Sequence, residues 1–228
     1  MPTAKDPFRF WTRLTLTKVV GRRAADLAEL VEQLRVAPPS VIFFHTHHFL
    51  VQHQHLSPEP PNDFAFWVTN VLQEDLLGER LAAIDTVQFT SLKELRDKIV
   101  AVIDAYLETR HALRTAPAGE EFHFRDAISF TLETPHQATT LEEFRQELRR
   151  VGYATIAYHL FEARLRVGAN DNDFSRWLEY DLGERELAAA IRKLDPYTHT
   201  MEGLRQRLIA LIDRRLASGA GTSLENAR

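Results

Sequence analysis

Three segments in the first half of the chain place their apolar residues at the spacing of an amphipathic helix. Each begins beside a side chain that can accept free backbone N–H groups at a helix N terminus, namely Asp26, Asn62 and Ser91. The apolar positions are Leu27, Leu30, Val31 and Leu34 in the first segment, Phe64, Trp67, Val68 and Val71 in the second, and Leu92, Leu95, Ile99, Val102, Ile103 and Tyr106 in the third. The pattern predicts three helices, each with one buried face.

The opening segment gives a less definite pattern. Leu14-Thr15-Leu16-Thr17 alternates apolar and polar residues as a strand does. A similar segment later in the chain carries Phe124, Ile128 and Leu132, whose spacing also fits a helix. The choice between strand and helix stays open there.

Much of this order of residues occurs twice. Phe8-Arg9-Phe10 returns as Phe122-His123-Phe124, and Ile42-Phe43-Phe44-His45 returns as Ile156-Ala157-Tyr158-His159, both 114 residues later. Asn62-Asp63-Phe64 returns as Asn172-Asp173-Phe174, 110 residues later, and Leu77-Gly78-Glu79-Arg80 is echoed by Leu182-Gly183-Glu184-Arg185. This ordered series predicts an internal duplication.

The expected fold is mainly α, with two tandem homologous helical repeats related by a pseudo-two-fold axis and with room for short strands at the start of each. The His-rich repeat 1 covers residues 8–107, and repeat 2 covers residues 122–216. A polar linker covers residues 108–121. Residues 217–228 lack periodicity and are expected to be a disordered tail.

Composition narrows the function classes. The 228-residue chain has a formal charge of −4 and no Cys, which excludes a disulfide scaffold, a thiol nucleophile and a zinc–thiolate site. No apolar run is long enough to span a membrane and no basic stripe is present, so we expect a soluble cytoplasmic protein that binds neither membrane nor nucleic acid. Phosphate-loop and serine-hydrolase motifs are missing, which disfavours those chemistries.

Five of the ten histidines, His45, His47, His48, His53 and His55, lie within eleven residues. If this segment is an α-helix, His45, His48 and His55 share one face, and the matching face of the second half carries His159, Glu162 and Arg166. Imidazole and carboxylate groups at i, i+3 can ligate a transition metal from one helix. One interpretation is therefore a divalent-metal site built from His45, His48, His55 and Glu162, with Asp63 and Asp173 as further candidate ligands.

Each of these groups also has a structural interpretation, which we favour. His45 and His159 each follow an aromatic residue and suit buried histidines that are hydrogen-bonded to a neighbouring carboxylate, with general acid–base chemistry as a third alternative. Asn62-Asp63 and Asn172-Asp173 are typical helix N-caps, with ligand contact as the alternative. Arg164 and Arg166 could hold an anionic ligand or could form a solvated helix face.

The run His45-Thr46-His47-His48-Phe49-Leu50, followed by Leu56-Ser57-Pro58-Glu59-Pro60-Pro61-Asn62-Asp63-Phe64, resembles an uncharacterised bacterial and archaeal family of domains of unknown function. The second copy, with Tyr158-His159, Asn172-Asp173-Phe174 and Trp177, resembles another branch of that family. The resemblance covers nearly the whole chain and implies no activity, cofactor or catalytic residue. The second copy lacks the His-rich run.

The function expected from the sequence is a non-catalytic ligand-binding or regulatory module, in which a groove between the repeats engages a small polar ligand or a partner protein. A homo-oligomer is compatible with this expectation. The candidate ligand-binding residues are His45, His159, Asn62, Asp63, Asn172, Asp173, Arg164 and Arg166. The alternatives are a His/carboxylate metal-binding protein, including a metal-dependent enzyme, and a structural scaffold without a ligand.

Overall fold

The computed structural model describes residues 2–52, 61–109, 114–167, 171–195 and 199–225, with the backbone alone described at residues 50, 51, 167 and 219–225. Two long strands, β1 (Phe8–Ala24) and β2 (Phe122–Ala138), form a two-stranded antiparallel sheet. Thr15 and Ser129 face each other through their hydroxyl groups, and the Thr134 hydroxyl donates to the carbonyl of Phe10. These two contacts set the register of the strands.

Helices follow each strand. After β1 come α1 (Leu27–Arg35), α2 (Pro39–Phe43), a π-helical turn (Phe44–His48), α3 (Phe49–Gln52), α4 (Asp63–Asn70), α5 (Asp75–Ala82), a 3₁₀ turn (Thr86–Gln88) and α6 (Leu92–Leu107). After β2 come α7 (Leu141–Arg150), α8 (Tyr153–Leu160), α9 (Arg164–Val167), α10 (Asp173–Tyr180), α11 (Arg185–Arg192) and α12 (Met201–Glu225). In the described part of the chain, no helix has both the length and the apolar character needed to cross a membrane.

The three helices predicted from apolar spacing are confirmed as α1, α4 and α6. The side chains of Asp26, Asn62 and Ser91 cap them by accepting the backbone N–H groups of Glu29, Ala65 and Glu94. Their predicted inner faces are buried around Leu30, Phe64 and Ile99. Local capping chemistry and apolar periodicity therefore suffice to position these elements.

The predicted fold class, two tandem helical repeats with short strands at most, is wrong. The opening segments form strands of 17 residues each. The repeat bounds 8–107 and 122–216 stay a prediction, while the chain packs as two compact units with other bounds. A continuous unit consists of residues 15–129, and a two-segment unit consists of residues 1–14 together with residues 130–228.

The physical reason for this division is that each strand contributes one end to each unit. In β1, Phe8 and Phe10 point into the core of the two-segment unit, where they pack against Phe144 and Phe174. In β2, the equivalent pair, Phe122 and Phe124, belongs to the core of the continuous unit. Side chains alternate in a strand, so that the Phe-x-Phe spacing buries both rings on one face. A sequence pattern cannot show which core receives each pair.

Two further sequence predictions differ from the structure. The similarity of Leu77-Gly78-Glu79-Arg80 to Leu182-Gly183-Glu184-Arg185 does not reflect equivalent positions: Gly78 lies inside α5, whereas Gly183 has φ +71° in the turn before α11. Helix α12 continues to Glu225, through most of the predicted disordered tail. Of the predicted linker, residues 110–113 lie outside the described chain.

Candidate functional site

His45 anchors strand β2 in the continuous unit. Its fully buried ring lies in the π-helical turn, with Nδ1 2.6 Å from Asp63 Oδ2. Its Nε2 lies 2.9 Å from the backbone nitrogen of Arg125, which follows Phe124. The carboxylate accepts from Nδ1, and the amide N–H donates to Nε2. In this pairing, Nδ1 is the donor of the ring and Nε2 is its acceptor.

His159 makes the same arrangement with strand β1 in the two-segment unit. Its Nδ1 lies 2.7 Å from Asp173 Oδ2, and its Nε2 accepts from the backbone N–H of Trp11 at 2.8 Å. Burial lowers the pKa of His159 below its usual value of 6.5, against the opposing effect of Asp173. We call each set of histidine, aspartate and strand amide a strand anchor.

Each strand anchor stands beside a group of aromatic rings and a tryptophan that fixes the same strand end. The indole N–H of Trp177 donates to the carbonyl of Asp6, and that of Trp67 donates to the carbonyl of Glu120. The rings packed around Phe8 are those of Phe10, Phe144, His159, Phe174 and Trp177. A buried imidazole in this setting orders the strand, which agrees with the favoured structural interpretation.

The residues predicted to form a metal site do not converge in the described part of the chain. His45 and His159 use both ring nitrogens in the strand anchors. His48 is half-buried against the Phe44 ring, and Glu162 is ion-paired with Arg13 at 2.9 Å. His53 and His55 lie outside the described residues. Among the described residues, no group of three or more His, Asp and Glu is placed to hold a metal ion.

The π-helical turn changes the register on which the metal-site prediction depended. The prediction assumed an α-helix over residues 41–55, in which i and i+3 residues lie together. A π turn closes i→i+5 hydrogen bonds and so places more residues in each turn. As a result, His47 is buried and stacked on Phe43, although the α-helical register predicts that it points away from the His45 face.

The capping role predicted for both asparagines is confirmed. Asn62 Oδ1 accepts from the backbone N–H of Ala65, and Asn172 Oδ1 accepts from that of Ser175, both at 2.9 Å. Each capping residue precedes the aspartate of a strand anchor. Cap and anchor together fix the first turn of α4 and of α10 against the strand, whereas ligand contact by these asparagines stays a prediction.

Arg166 belongs to the surroundings of the His159 strand anchor. Its guanidinium donates to Asp173 Oδ2 at 2.6 Å and lies 3.8 Å from the centre of the Tyr158 ring. The guanidinium of Arg13 lies 5.4 Å from the same ring centre. Glu162 is the ion-pair partner of Arg13, and burial raises the pKa of its carboxyl group. Tyr158 is thus in cation–π contact with two arginines. Arg164 is half-buried at the start of α9.

A cavity of about 590 Å³ opens beside this strand anchor, and we call it the His159 cavity. It lies entirely within the two-segment unit. Its lining comprises Asp6, Pro7, Phe8, Arg9, Trp11, Thr131, Tyr158, His159, Arg166, Asp173, Trp177 and Asp181. Of the predicted ligand-binding residues, this cavity brings together His159, Arg166 and Asp173, while Arg164 is not among its lining residues.

The continuous unit has a smaller cavity of about 440 Å³ beside its own strand anchor, which we call the Asp63 cavity. Aromatic rings make up much of its wall, contributed by Phe44, Phe49, Phe66, Trp67 and Phe122. The residue before His159 is Tyr158, whereas the residue before His45 is Phe44. The wall of the Asp63 cavity therefore has a phenylalanine at the position where the two-segment unit has the tyrosine that contacts two arginines. The two cavities therefore share a framework and differ in polarity.

Comparison with known proteins places the chain in a family. Residues 5–213 match a family of unknown function, DUF5752. The chain belongs to this family. The match is a single continuous one, so that the two tandem family copies expected from the sequence are not found.

One solved structure is similar to this DUF5752 member over nearly the whole chain. The structure of OrfY from Thermoproteus tenax has a TM-score of 0.78 and 32% sequence identity, covering 93% of this chain and 96% of that chain. No curated protein sequence matches the chain. These comparisons support the protein as one of unknown function, and they show no catalytic role.

Sequence reasoning missed the cavity residues contributed by β1 and by the segment before it, among them Asp6 and Trp11. Both lie outside the segments that the apolar periodicity assigned to helices. They line one cavity with Tyr158 and Asp173, which lie more than a hundred positions later in the chain. The nearest signal was the Phe8-Arg9-Phe10 alternation, which favours a strand but does not identify its packing partner.

Proposed function

We propose that this protein is a non-catalytic ligand-binding module and that the His159 cavity is its site for a small polar ligand. The observation that carries the proposal is the balance of charges in the lining. Arg166 is paired with Asp173, and Arg9 is paired with Glu133 at 2.8 Å. Asp6 and Asp181 form no ion pair within the described part of the chain. Two carboxylates are therefore left over to meet a ligand.

The remaining wall supports a ligand with a cationic group. Trp11, Tyr158 and Trp177 present aromatic surface to the same cavity as Asp6 and Asp181. Aromatic faces attract organic cations through their quadrupole, and a carboxylate adds direct charge complementarity. An ammonium-bearing metabolite fits this combination. The volume also lies in the range typical of small-molecule sites.

The strand anchor gives the cavity a rigid wall. Asp173 Oδ2 accepts from both the buried His159 and the rim residue Arg166. Because these contacts satisfy the carboxylate, Asp173 holds its neighbours in place and does not need a ligand to balance its charge. A partner protein in place of the small ligand and a homo-oligomer, both compatible with the sequence, stay predictions.

Choline and its neutral carbon isostere, in which a tert-butyl group replaces trimethylammonium, test the proposal. We expect saturable choline binding by calorimetry and about tenfold weaker binding of the isostere. D6N and D181N should each weaken choline binding, because each removes a carboxylate from the lining. E108Q, at an exposed residue in the continuous unit, is the matched control and should bind as the unaltered protein does.

Equal binding of choline and its isostere would show that the cavity does not select a cation. Choline binding that survives in both aspartate variants would place the site elsewhere. Absence of any binding by either probe would reject the proposed cation site. Unfolding midpoints of the variants, measured alongside, confirm that each change leaves the protein folded.

A further inference from the structure

A cavity of about 750 Å³ in the continuous unit lies along α5, the 3₁₀ turn and α6, and we call it the α5–α6 groove. Among the described residues, none lines both this groove and the Asp63 cavity. Its floor is apolar, formed mainly by Ile84, Phe89, Ala101, Val102 and Ala105. Small alanines on α6 leave room above the helix, and Phe89 provides a half-buried aromatic side chain.

Three charged side chains border this floor. Arg80 lies in the last turn of α5, Lys98 lies on α6, and Asp85 precedes the 3₁₀ turn. In the described part of the chain none of the three forms an ion pair, although charges of both signs line one cavity. Elsewhere α6 does pair its charges, as Lys93 does with Asp97 at 2.7 Å.

Asp85 carries the most specific signal in the groove. Its Oδ1 is buried and has no hydrogen-bond partner within the described residues. The side chain does not cap the 3₁₀ turn, for which its position would otherwise suit it. A buried carboxylate oxygen without a donor is costly, and native proteins usually satisfy such an atom with a ligand or an ordered water. Asp85 is half-buried and lines the groove, so that a donor bound there stands beside its carboxylate.

We propose that the α5–α6 groove binds a small amphipathic zwitterion, with the chemistry of an apolar or aromatic amino acid. Arg80 and Lys98 take its carboxylate, the Asp85 carboxylate accepts from its ammonium group, and the apolar body lies on Phe89 and Val102. The charged groups of such a ligand would pair with the charged side chains of the groove, and its apolar part would cover the apolar floor. The proposal does not depend on the His159 cavity, since no described residue lines both sites.

Three related probes separate the required groups. L-phenylalanine carries the ring, the ammonium and the carboxylate, hydrocinnamate lacks the ammonium, and phenethylamine lacks the carboxylate. We expect L-phenylalanine to bind at least about tenfold more tightly than either analogue. Amide chemical-shift changes in the ¹H–¹⁵N spectrum of the full chain should centre on residues 80–89 and 98–105.

Variants then assign each contact. D85N should abolish the preference for L-phenylalanine over hydrocinnamate, whereas R80A and K98A should each abolish the preference over phenethylamine. K93A removes a positive charge from α6 outside the groove lining and is the matched control. Unfolding midpoints report whether each variant folds, and all of the altered side chains are at least partly exposed.

Two results would overturn the proposal. If no probe perturbs the groove, the Asp85 oxygen is satisfied by water alone. If the three probes bind equally and D85N changes nothing, the groove is an apolar surface without selectivity for a zwitterion.

Discussion

The buried histidines show how one side chain can join distant parts of the chain. The His159 ring meets a carboxylate on one side and a strand amide on the other, and only the neutral ring satisfies both. Protonation adds a donor at Nε2, where the amide of Trp11 already donates. Burial, together with the positive charge of Arg166, keeps the folded-state pKa of His159 below its usual value.

We expect this histidine to make the protein less stable in acid. Between the lowered folded-state pKa and 6.5, the unfolded chain binds a proton at His159 that the folded protein does not bind. The stabilisation is complete above pH 6.5 and is lost as the pH falls toward the folded-state pKa. Urea unfolding at several pH values between 5 and 8 should show the free energy of unfolding decreasing with acidification.

The comparison of two variants isolates His159 as the cause. H159Q removes the titrating ring, so that its free energy of unfolding should be lower by about 1–3 kcal/mol at neutral pH and should depend less steeply on pH. H123Q, at an exposed histidine, should keep the steep dependence. If H159Q keeps the slope of the unaltered protein, another group is responsible for the acid sensitivity.

At the scale of residues, hydrogen bonds between near neighbours in the sequence were predictable, and hydrogen bonds between distant positions were not. The N-cap roles of Asn62 and Asn172 follow from residues within three positions, and the pairing of His45 and His159 with a nearby carboxylate was the favoured interpretation. The amides of Arg125 and Trp11, which complete the strand anchors, lie 80 and 148 positions from their histidines. No spacing rule covers such distances.

At the scale of elements, the turns that lead into α5 and α11 each contain a residue with positive φ, but the two residues differ. Gly183 has φ +71° before α11, and Gln73 has φ +54° before α5. Left-handed backbone conformations cost a residue with a Cβ more than they cost glycine. The continuous unit therefore carries strain at Gln73 that the two-segment unit avoids.

Replacing the strained residue should stabilise the protein. We expect Q73G to raise the free energy of unfolding by about 1 kcal/mol, and G183A to lower it by a similar amount. Both values follow from urea unfolding midpoints under identical conditions. No side chain stands within 4 Å of a Cβ built at Gly183, so that G183A tests backbone strain without a steric clash. A destabilising Q73G would show that the Gln73 side chain contributes more than the relief of strain.

Among the secondary-structure elements, the π-helical turn could not be predicted from the sequence. Its neighbours α2 and α3 continue the same helical path, and five residues are too few for periodicity to distinguish a π turn from an α-helix. The error mattered because the metal hypothesis depended on the α-helical register of His45 and His48. By contrast, α1, α4 and α6 were predictable, since long apolar faces and capping side chains agreed.

At the scale of the whole molecule, the order of residues along the chain does not match the compact units. Phe8-Arg9-Phe10 and Phe122-His123-Phe124 carry the same alternation, so that either pair could fill either core by sequence alone. The structure places Phe10, fully buried, with residues 130–228. The division into residues 8–107 and 122–216 therefore separates each core from a strand end that completes it.

Fragment complementation tests this arrangement. The fragment 116–228 lacks Phe8 and Phe10, so we expect it to unfold with low cooperativity by itself. A synthetic peptide of residues 2–24 should bind the fragment and raise its melting temperature. An F10A peptide should bind about a hundredfold more weakly, because loss of a buried Phe ring costs about 3–5 kcal/mol. An L14A peptide, altered at an exposed residue, should bind like the unaltered one.

One outcome would contradict the two-segment unit. If the fragment alone unfolds cooperatively at the melting temperature of the full chain and does not bind the peptide, residues 116–228 complete their own core.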